Sequence, residues 1–281
     1  MKHRTLERIL SDVPFLESGA LMAQLVLPDC DLDVAAAEPA RWKQIRDEYA
    51  PKAVIRDDGV AVIEITGTLA AKPDLYEIIY YGFTDSLEVG ALIERTAKDP
   101  SVKGLLLNWD SPGGYLTGGP EVADAIAKAA KTKPVVSWTG GQMASLAYWM
   151  ASQSTFIAAS TSARVGSVGV YIAVPDLSER YKAAGVKVEV FRNVEAIYKA
   201  AGVPGTTLSD DHKRMLQESA QTSFEEFKAA ILRARPQAKA EAMQGQVFGG
   251  AQSEAMGLVD FVGSMASASA NLRARIKERN G

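Results

Sequence analysis

Between Gly59 and Ala159, short β-branched runs alternate with amphipathic segments of helical length, and this rhythm limits the folds open to the chain more than any other feature. Val60-Ala61-Val62-Ile63-Glu64-Ile65 reads as a strand, Ser86 to Lys98 as a helix, and Lys103 to Trp109 as a strand buried on both faces. A helix over Gly119 to Lys131, a strand over Pro134 to Trp138, a helix opening near Ala144 and a strand over Thr155 to Ala159 continue the series. Strands joined by helices of this length need crossover connections, so the expectation is an α/β fold with a mostly parallel sheet and flanking helices. Val186 to Arg192 is expected as a further strand. A long helix over Ser209 to Arg233 is expected, capped by Ser209 with Asp210 and Asp211 in its first turn.

Three segments follow from this reading. Residues 1–52 form a distinct leader suited to oligomerisation or to a pro-segment, with a polar helix from Glu38 to Tyr49 and a stop at Pro51. Residues 53–263 carry the α/β domain, and residues 264–281 a small-residue-rich, then basic, loosely held tail helix. A chain of 281 residues with 47% apolar side chains can bury a substantial core. Its 31 basic and 34 acidic residues leave a net charge of −3 and no basic stripe, which argues against nucleic acid as a partner. No run approaches the roughly 18 apolar residues of a membrane span. The early run Ala20 to Leu27 is short and lacks a clean basic flank, so the expected location is cytoplasmic.

Chemistry concentrates at two glycine-rich strand ends. Asp110-Ser111-Pro112-Gly113-Gly114 follows the strand ending at Trp109, on the edge where open α/β sheets place their sites. Taken alone, it is equally a tight turn. Thr139-Gly140-Gly141-Gln142-Met143-Ala144-Ser145 follows the next strand and runs into a helix. Ser145 is expected in the first helical turn, where free N–H groups and the helix dipole favour negative charge. A serine there is also an ordinary cap. Together the two loops supply what acyl transfer needs, oxyanion donors and a nucleophile.

The base is the harder part. The chain has two histidines, His3 in the leader and His212 in a charge-dense helix start where solvation is expected, so a Ser-His-Asp triad is poorly supplied. Cys30, the only cysteine, excludes internal disulfides and cysteine-rich metal sites. A lysine can replace histidine where desolvation favours its neutral form. Lys199 stands out among many because Ala196, Ile197, Tyr198, Ala200 and Ala201 flank it and Gly202 and Gly205 follow. A lysine on an apolar face can equally snorkel to water.

At these residues the sequence resembles the signal peptide peptidase A family of serine peptidases. Asp110-Ser111-Pro112-Gly113-Gly114, the segment Gly141 to Tyr148, Val165-Gly166-Ser167-Val168-Gly169-Val170, and Gly245-Gln246-Val247-Phe248 with Ala255, Gly257-Leu258-Val259-Asp260 and Gly263 match its motifs in order. The resemblance covers roughly residues 60–263. It implies a fold of repeated ββα and βαβ units of the Clp-protease/crotonase type, Ser145 as nucleophile and Lys199 as general base. It also implies an oxyanion hole from the N–H groups of Gly114 and Leu146, with Gly113 shaping the loop and Ser167 orienting the lysine. The sequence departs from the family's Ser-Gly-x-x-Lys turn at Glu195-Ala196-Ile197-Tyr198-Lys199, which leaves Lys182 and Lys187 as alternatives. No cofactor and no metal are implied.

The Asp before the Ser-Pro-Gly-Gly loop makes the chain similar to the prohead proteases of tailed bacteriophages. That likeness implies capsid, portal or scaffold proteins as substrates and the host cytoplasm or prohead as location. It also implies a homo-oligomer, a ring or dome, with the dyad near subunit boundaries. The stretch Met265 to Ala270 is a conceivable self-cleavage site. A peptide-degrading signal-peptide-peptidase-like enzyme, a crotonase-like acyl-CoA enzyme and an inactive assembly factor stay open as alternatives.

Overall fold

The computed structural model describes residues 39–280, so most of the leader, including His3 and Cys30, lies outside the described residues. Two compact units divide the chain. In the described residues one comprises 39–169 with 226–280, and the other 170–225.

The larger unit contains, in chain order, α1 (Pro39–Tyr49), β1 (Ala53–Ile55), β2 (Val60–Thr66), β3 (Thr68–Ala70), α2 (Leu75–Tyr81), β4 (Phe83–Asp85), α3 (Ser86–Lys98) and β5 (Gly104–Ser111). Next come α4 (Gly119–Thr132), β6 (Val135–Ala144), α5 (Leu146–Ser152), β7 (Phe156–Ala159) and β8 (Arg164–Gly166). The smaller unit holds α6 (Ser178–Ala183) and the start of α7 (Asp210–Ala234). The chain closes, in the larger unit, with a 3₁₀ turn at Ala240–Ala242, β9 (Val247–Gly249), α8 (Gly250–Ala255), β10 (Phe261–Val262) and α9 (Met265–Asn280).

The main sheet runs in the order β1-β2-β5-β6-β7-β10, with β8 paired to β6 and to β9. Every pairing in it is parallel except β1 with β2 and β8 with β9, as the strand–helix rhythm predicts. A parallel sheet must be covered on both faces. Val60, Val62, Leu106, Val136 and Ala158 pack against Ala268, Leu272 and Ile276 of α9. Their alternates Ala61, Ile63, Leu105, Leu107 and Val135 are fully buried as well. On α3, Val89, Leu92, Ile93 and Thr96 form the buried stripe at helical spacing, and Asp85 caps the start by accepting from Leu87 N–H at 3.0 Å.

The residues from 264 differ from the expected loose tail. Ala268, Leu272 and Ile276 recur every four residues, and this stripe docks α9 into the core. Arg273 adds an ion pair to Asp58 at 2.7 Å, and the Arg275 guanidinium lies 4.6 Å from the Phe156 ring centre. The stretch Met265 to Ala270 is therefore helical, with Ala268 and Ser269 buried, so cleavage there would require α9 to unwind.

The expected strand over Val186 to Arg192 does not form among the described residues. Alternation alone does not make a strand, and among the described residues of the smaller unit no strand offers it a ladder. The long helix is present as Asp210–Ala234, with Ser209 Oγ accepting from His212 N–H at 3.2 Å. His212 is half-buried rather than solvated: its Nε2 donates to the Ile197 carbonyl at 3.1 Å.

Candidate functional site

Strand β6 serves two partners in turn. Val136 to Thr139 pair with β7, while Gln142 to Ala144 pair with β8. Against β5 the register shifts at the same place, since Trp109 and Ser111 face Thr139 and Met143. Two residues of β5 thus answer four of β6, and the bulge falls on Gly140 and Gly141. Gly141 is needed for close approach, because a Cβ there would lie 2.4 Å from Asp110 Oδ1. That carboxylate instead accepts from Gln142 N–H at 3.0 Å and ties the two strand ends together.

Beyond the bulge, β6 delivers Ser145 to the start of α5. Ser145 occupies the N-cap rather than the first turn, with φ 51° and ψ −125°. A non-glycine residue at such a φ is strained and persists only where its surroundings fix it. Here they do, since Ser145 N–H donates to Gly166 O at 2.8 Å and Ser145 O accepts from Trp149 N–H at 3.0 Å. Its side chain makes no capping hydrogen bond and is half-buried. The Leu146 N–H, as the first of the helix, has no carbonyl one turn earlier within it.

The other strand end packs directly on this junction. Gly113 has φ +104°, and a Cβ on it would lie 2.7 Å from Ser145 Cβ and 2.9 Å from Leu146 N. No other residue type fits there without moving the serine. Fully buried Ser111 fixes the loop by donating to Gly67 O at 2.6 Å and accepting from Gly113 N–H at 3.1 Å. Leu69 N–H then bonds Gly113 O, and Tyr115 N–H bonds Leu69 O, both at 2.8 Å. The structure thus sets Gly113 against Ser145 and Leu146, with Gly114 next in the chain bridged to Leu69.

Ser167 follows the last residue of β8, with φ 52°, and its N–H donates to Gln246 O at 2.6 Å. The pairing of Ala144 with Gly166 sets it beside Ser145 in the register. Lys199 belongs to the smaller unit, where it is exposed and its N–H bonds Ala196 O at 3.0 Å. Lys182 and Lys187 also lie there, paired with Glu179 and Glu189.

Residues 127–278, more than half of the chain, match peptidase family S49. This chain belongs to peptidase family S49. Among its relatives are capsid assembly protease C of Escherichia phage lambda (31% identical over 160 residues, 57% of this chain and 36% of that protein) and protease 4 of Salmonella typhi (31% over 169 residues, 59% and 27%). A third is the chloroplastic serine protease SPPA of Arabidopsis thaliana (29% over 179 residues, 63% and 26%). The chain spans well under half the length of each of these three relatives. It is also similar to a solved enoyl-CoA hydratase of Mycobacterium smegmatis (TM-score 0.46, 12% identity, 82% of this chain and 76% of that one), a likeness too slight to bear on activity.

Within this S49 chain the matched region contains Ser145, Ser167 and Lys199, while Gly113 and Gly114 precede it. The carboxy-terminal motif has a structural explanation that sequence reasoning missed. Asp260 accepts from Arg235 at 2.7 Å and from Ile157 N–H at 2.8 Å, while Arg235 also donates to Ser152 O and Ser154 O. Tyr148, one turn past Ser145, donates to Leu258 O at 2.9 Å, and burial pushes its hydroxyl well above the ordinary tyrosine range. It is a strut, held neutral. Ser111 and Asp110 were legible only as motif members, since nothing local reveals which carbonyl or N–H each will meet.

Proposed function

We propose that this chain is a serine endopeptidase in which Ser145 is the nucleophile and Lys199 the general base. Ser145 Oγ attacks the scissile carbonyl carbon as Lys199 Nζ takes the hydroxyl proton, and the N–H groups of Gly114 and Leu146 hold the oxyanion. The tetrahedral species collapses with cleavage of the C–N bond, and Lys199 returns the proton to the leaving amine. Water, deprotonated by the same lysine, then attacks the ester and releases the acid, restoring Ser145. Gly113 shapes the donor loop, and Ser167 orients the lysine.

The observation that carries this reading is the strained, half-buried Ser145 with the Gly113 backbone packed against it. The likeness to capsid assembly protease C supports capsid, portal or scaffold proteins as substrates and the host cytoplasm or prohead as the place of action. The comparable likeness to protease 4 supports a second reading, degradation of peptides.

Cleavage of an unfolded protein such as casein tests the nucleophile. Ser145→Ala is expected to lose at least about 10⁴-fold in rate, and a fluorophosphonate probe should add one mass increment to the wild type and none to the variant. Full cleavage by Ser145→Ala would overturn the assignment. For the base, Lys199→Ala and Lys199→Arg should be equally inactive, since arginine stays protonated. A nearly wild-type arginine variant would remove Lys199 from the mechanism.

A further inference from the structure

We infer that His212 is a positioning residue for Lys199: its Nε2–H, donated to the Ile197 carbonyl, sets the course of the chain that carries the lysine. The inference rests on the reading of Lys199 as general base, and all three residues lie in the smaller unit.

Hydrogen bonding around the lysine is otherwise local. Lys199 N–H bonds Ala196 O at 3.0 Å, Ala196 N–H bonds Asn193 O at 3.1 Å, and the Asn193 side chain donates to Glu195 at 3.1 Å. Two short turns built in this way fix the curvature of the chain but not its direction, since their bonds close within 193–199. Burial adds little, with Val194 85% and Tyr198 48% exposed. Among the described residues, the bond from His212 to Ile197 O at 3.1 Å is the hydrogen bond that ties this stretch to another element. It lands two residues before Lys199.

The other end of that bond is firmly placed. His212 stands in the first turn of α7, where Ser209 Oγ accepts its N–H at 3.2 Å and Ser209 O accepts from Lys213 N–H at 3.0 Å. A side chain in the first turn of a capped helix is a rigid point from which to hold a loop.

The imidazole also shows which of its nitrogens matters. A carbonyl oxygen only accepts, so Nε2 carries the proton and Nδ1 of the neutral ring is a bare acceptor. That Nδ1 is buried and has no hydrogen-bond partner among the described residues. A histidine working as a base has its second nitrogen oriented by a third group. Here Nδ1 lacks one, and Nε2 is committed to the main chain. What the ring supplies is one N–H donor at a fixed reach. A glutamine amide nitrogen stands as many bonds from the backbone as Nε2, whereas that of asparagine matches Nδ1 and falls short of Ile197 O.

Steady-state casein cleavage by three variants tests the role, with each kcat taken per folded molecule from the amplitude of the thermal unfolding transition. His212→Leu and His212→Asn should each lose about 10–100-fold in kcat with KM unchanged, because the imidazole holds the base and touches no substrate. His212→Gln should keep the wild-type kcat. A purely structural histidine would lower the unfolding temperature of the Leu and Asn variants and leave their kcat alone, and that result would overturn the inference while Lys199 stayed the base. Loss of activity in all three variants would make the imidazole itself the reacting group, which would overturn it as well. Lys199→Ala, measured alongside, separates the two readings: if it is active, the base assignment falls and takes this inference with it. Should His212→Leu lose its unfolding transition, His212→Asn carries the comparison with His212→Gln.

Discussion

Around Ser145 the backbone is held from several sides, by β8 through Gly166, by α5 through Trp149 and by the Gly113 loop packed against it. Among the described residues, little holds the segment around Lys199. Val194 and Tyr198 are exposed, short turns close on themselves, and no strand or eight-residue helix lies between Val186 and Ser209. The first region stores strain at Ser145 because the sheet over-determines it. The second has the composition of a structured element, but among the described residues no strand pairs with it. The geometry of Ser145 is thus fixed within the larger unit, while the segment bearing the proposed base exposes Val194 and Tyr198.

The sharpest test of this contrast substitutes glycines with positive φ in both regions. Gly113→Ala drives a methyl group into Ser145 and Leu146, so activity should drop by about 10²–10³ and stability by about 1–3 kcal/mol, read by casein cleavage and chemical denaturation. Gly185→Ala, with open space around it, should cost only the about 1 kcal/mol of the left-handed backbone. Equal costs would mean that the Ser145 junction is no more tightly determined than the smaller unit.

Leu272→Ala probes the support beneath the site-bearing sheet. Deleting this fully buried side chain should destabilise by about 2–5 kcal/mol in urea, whereas a loosely held tail would show almost no change. The smallest effect concerns Asp58, whose carboxyl is held below the usual range chiefly by the Arg273 hydrogen bond and then by the Val60 N–H. A lowered folded value favours the ionised form, so its contribution is full above the unfolded value of about 3.9 and is lost as pH falls through the lower folded one. Asp58→Asn should therefore cost under about 1 kcal/mol at pH 7. The difference from wild type should close in strong acid.

Most of the sheet was legible because burial on both faces leaves a strong imprint: β2, β5 and α3 begin and end within a few residues of where their patterns do. The bulge at Gly140 and Gly141 was not, since two glycines signal a break without saying whether the strand resumes. The φ of Ser145 was hidden for a related reason, being set by the pairing of Ala144 with Gly166, residues 22 positions apart. At Val186 to Arg192 the alternation implied a strand that does not form, because a strand also needs a partner to pair with. The core stripe of α9 could have been read from Ala268, Leu272 and Ile276, but the small residues around it drew attention to looseness.

The frame of the Ser145 junction is gathered from distant parts of the chain: Gly67 and Leu69 brace the Gly113 loop, Gly166 binds the serine N–H, and Gln246 anchors Ser167. During synthesis Ser145 therefore emerges from the ribosome about a hundred residues before its last brace, at Gln246. Contacts this distant in sequence close late, so a nascent or truncated chain carries the serine without its geometry. The strained geometry of that serine thus waits until the fold is nearly whole.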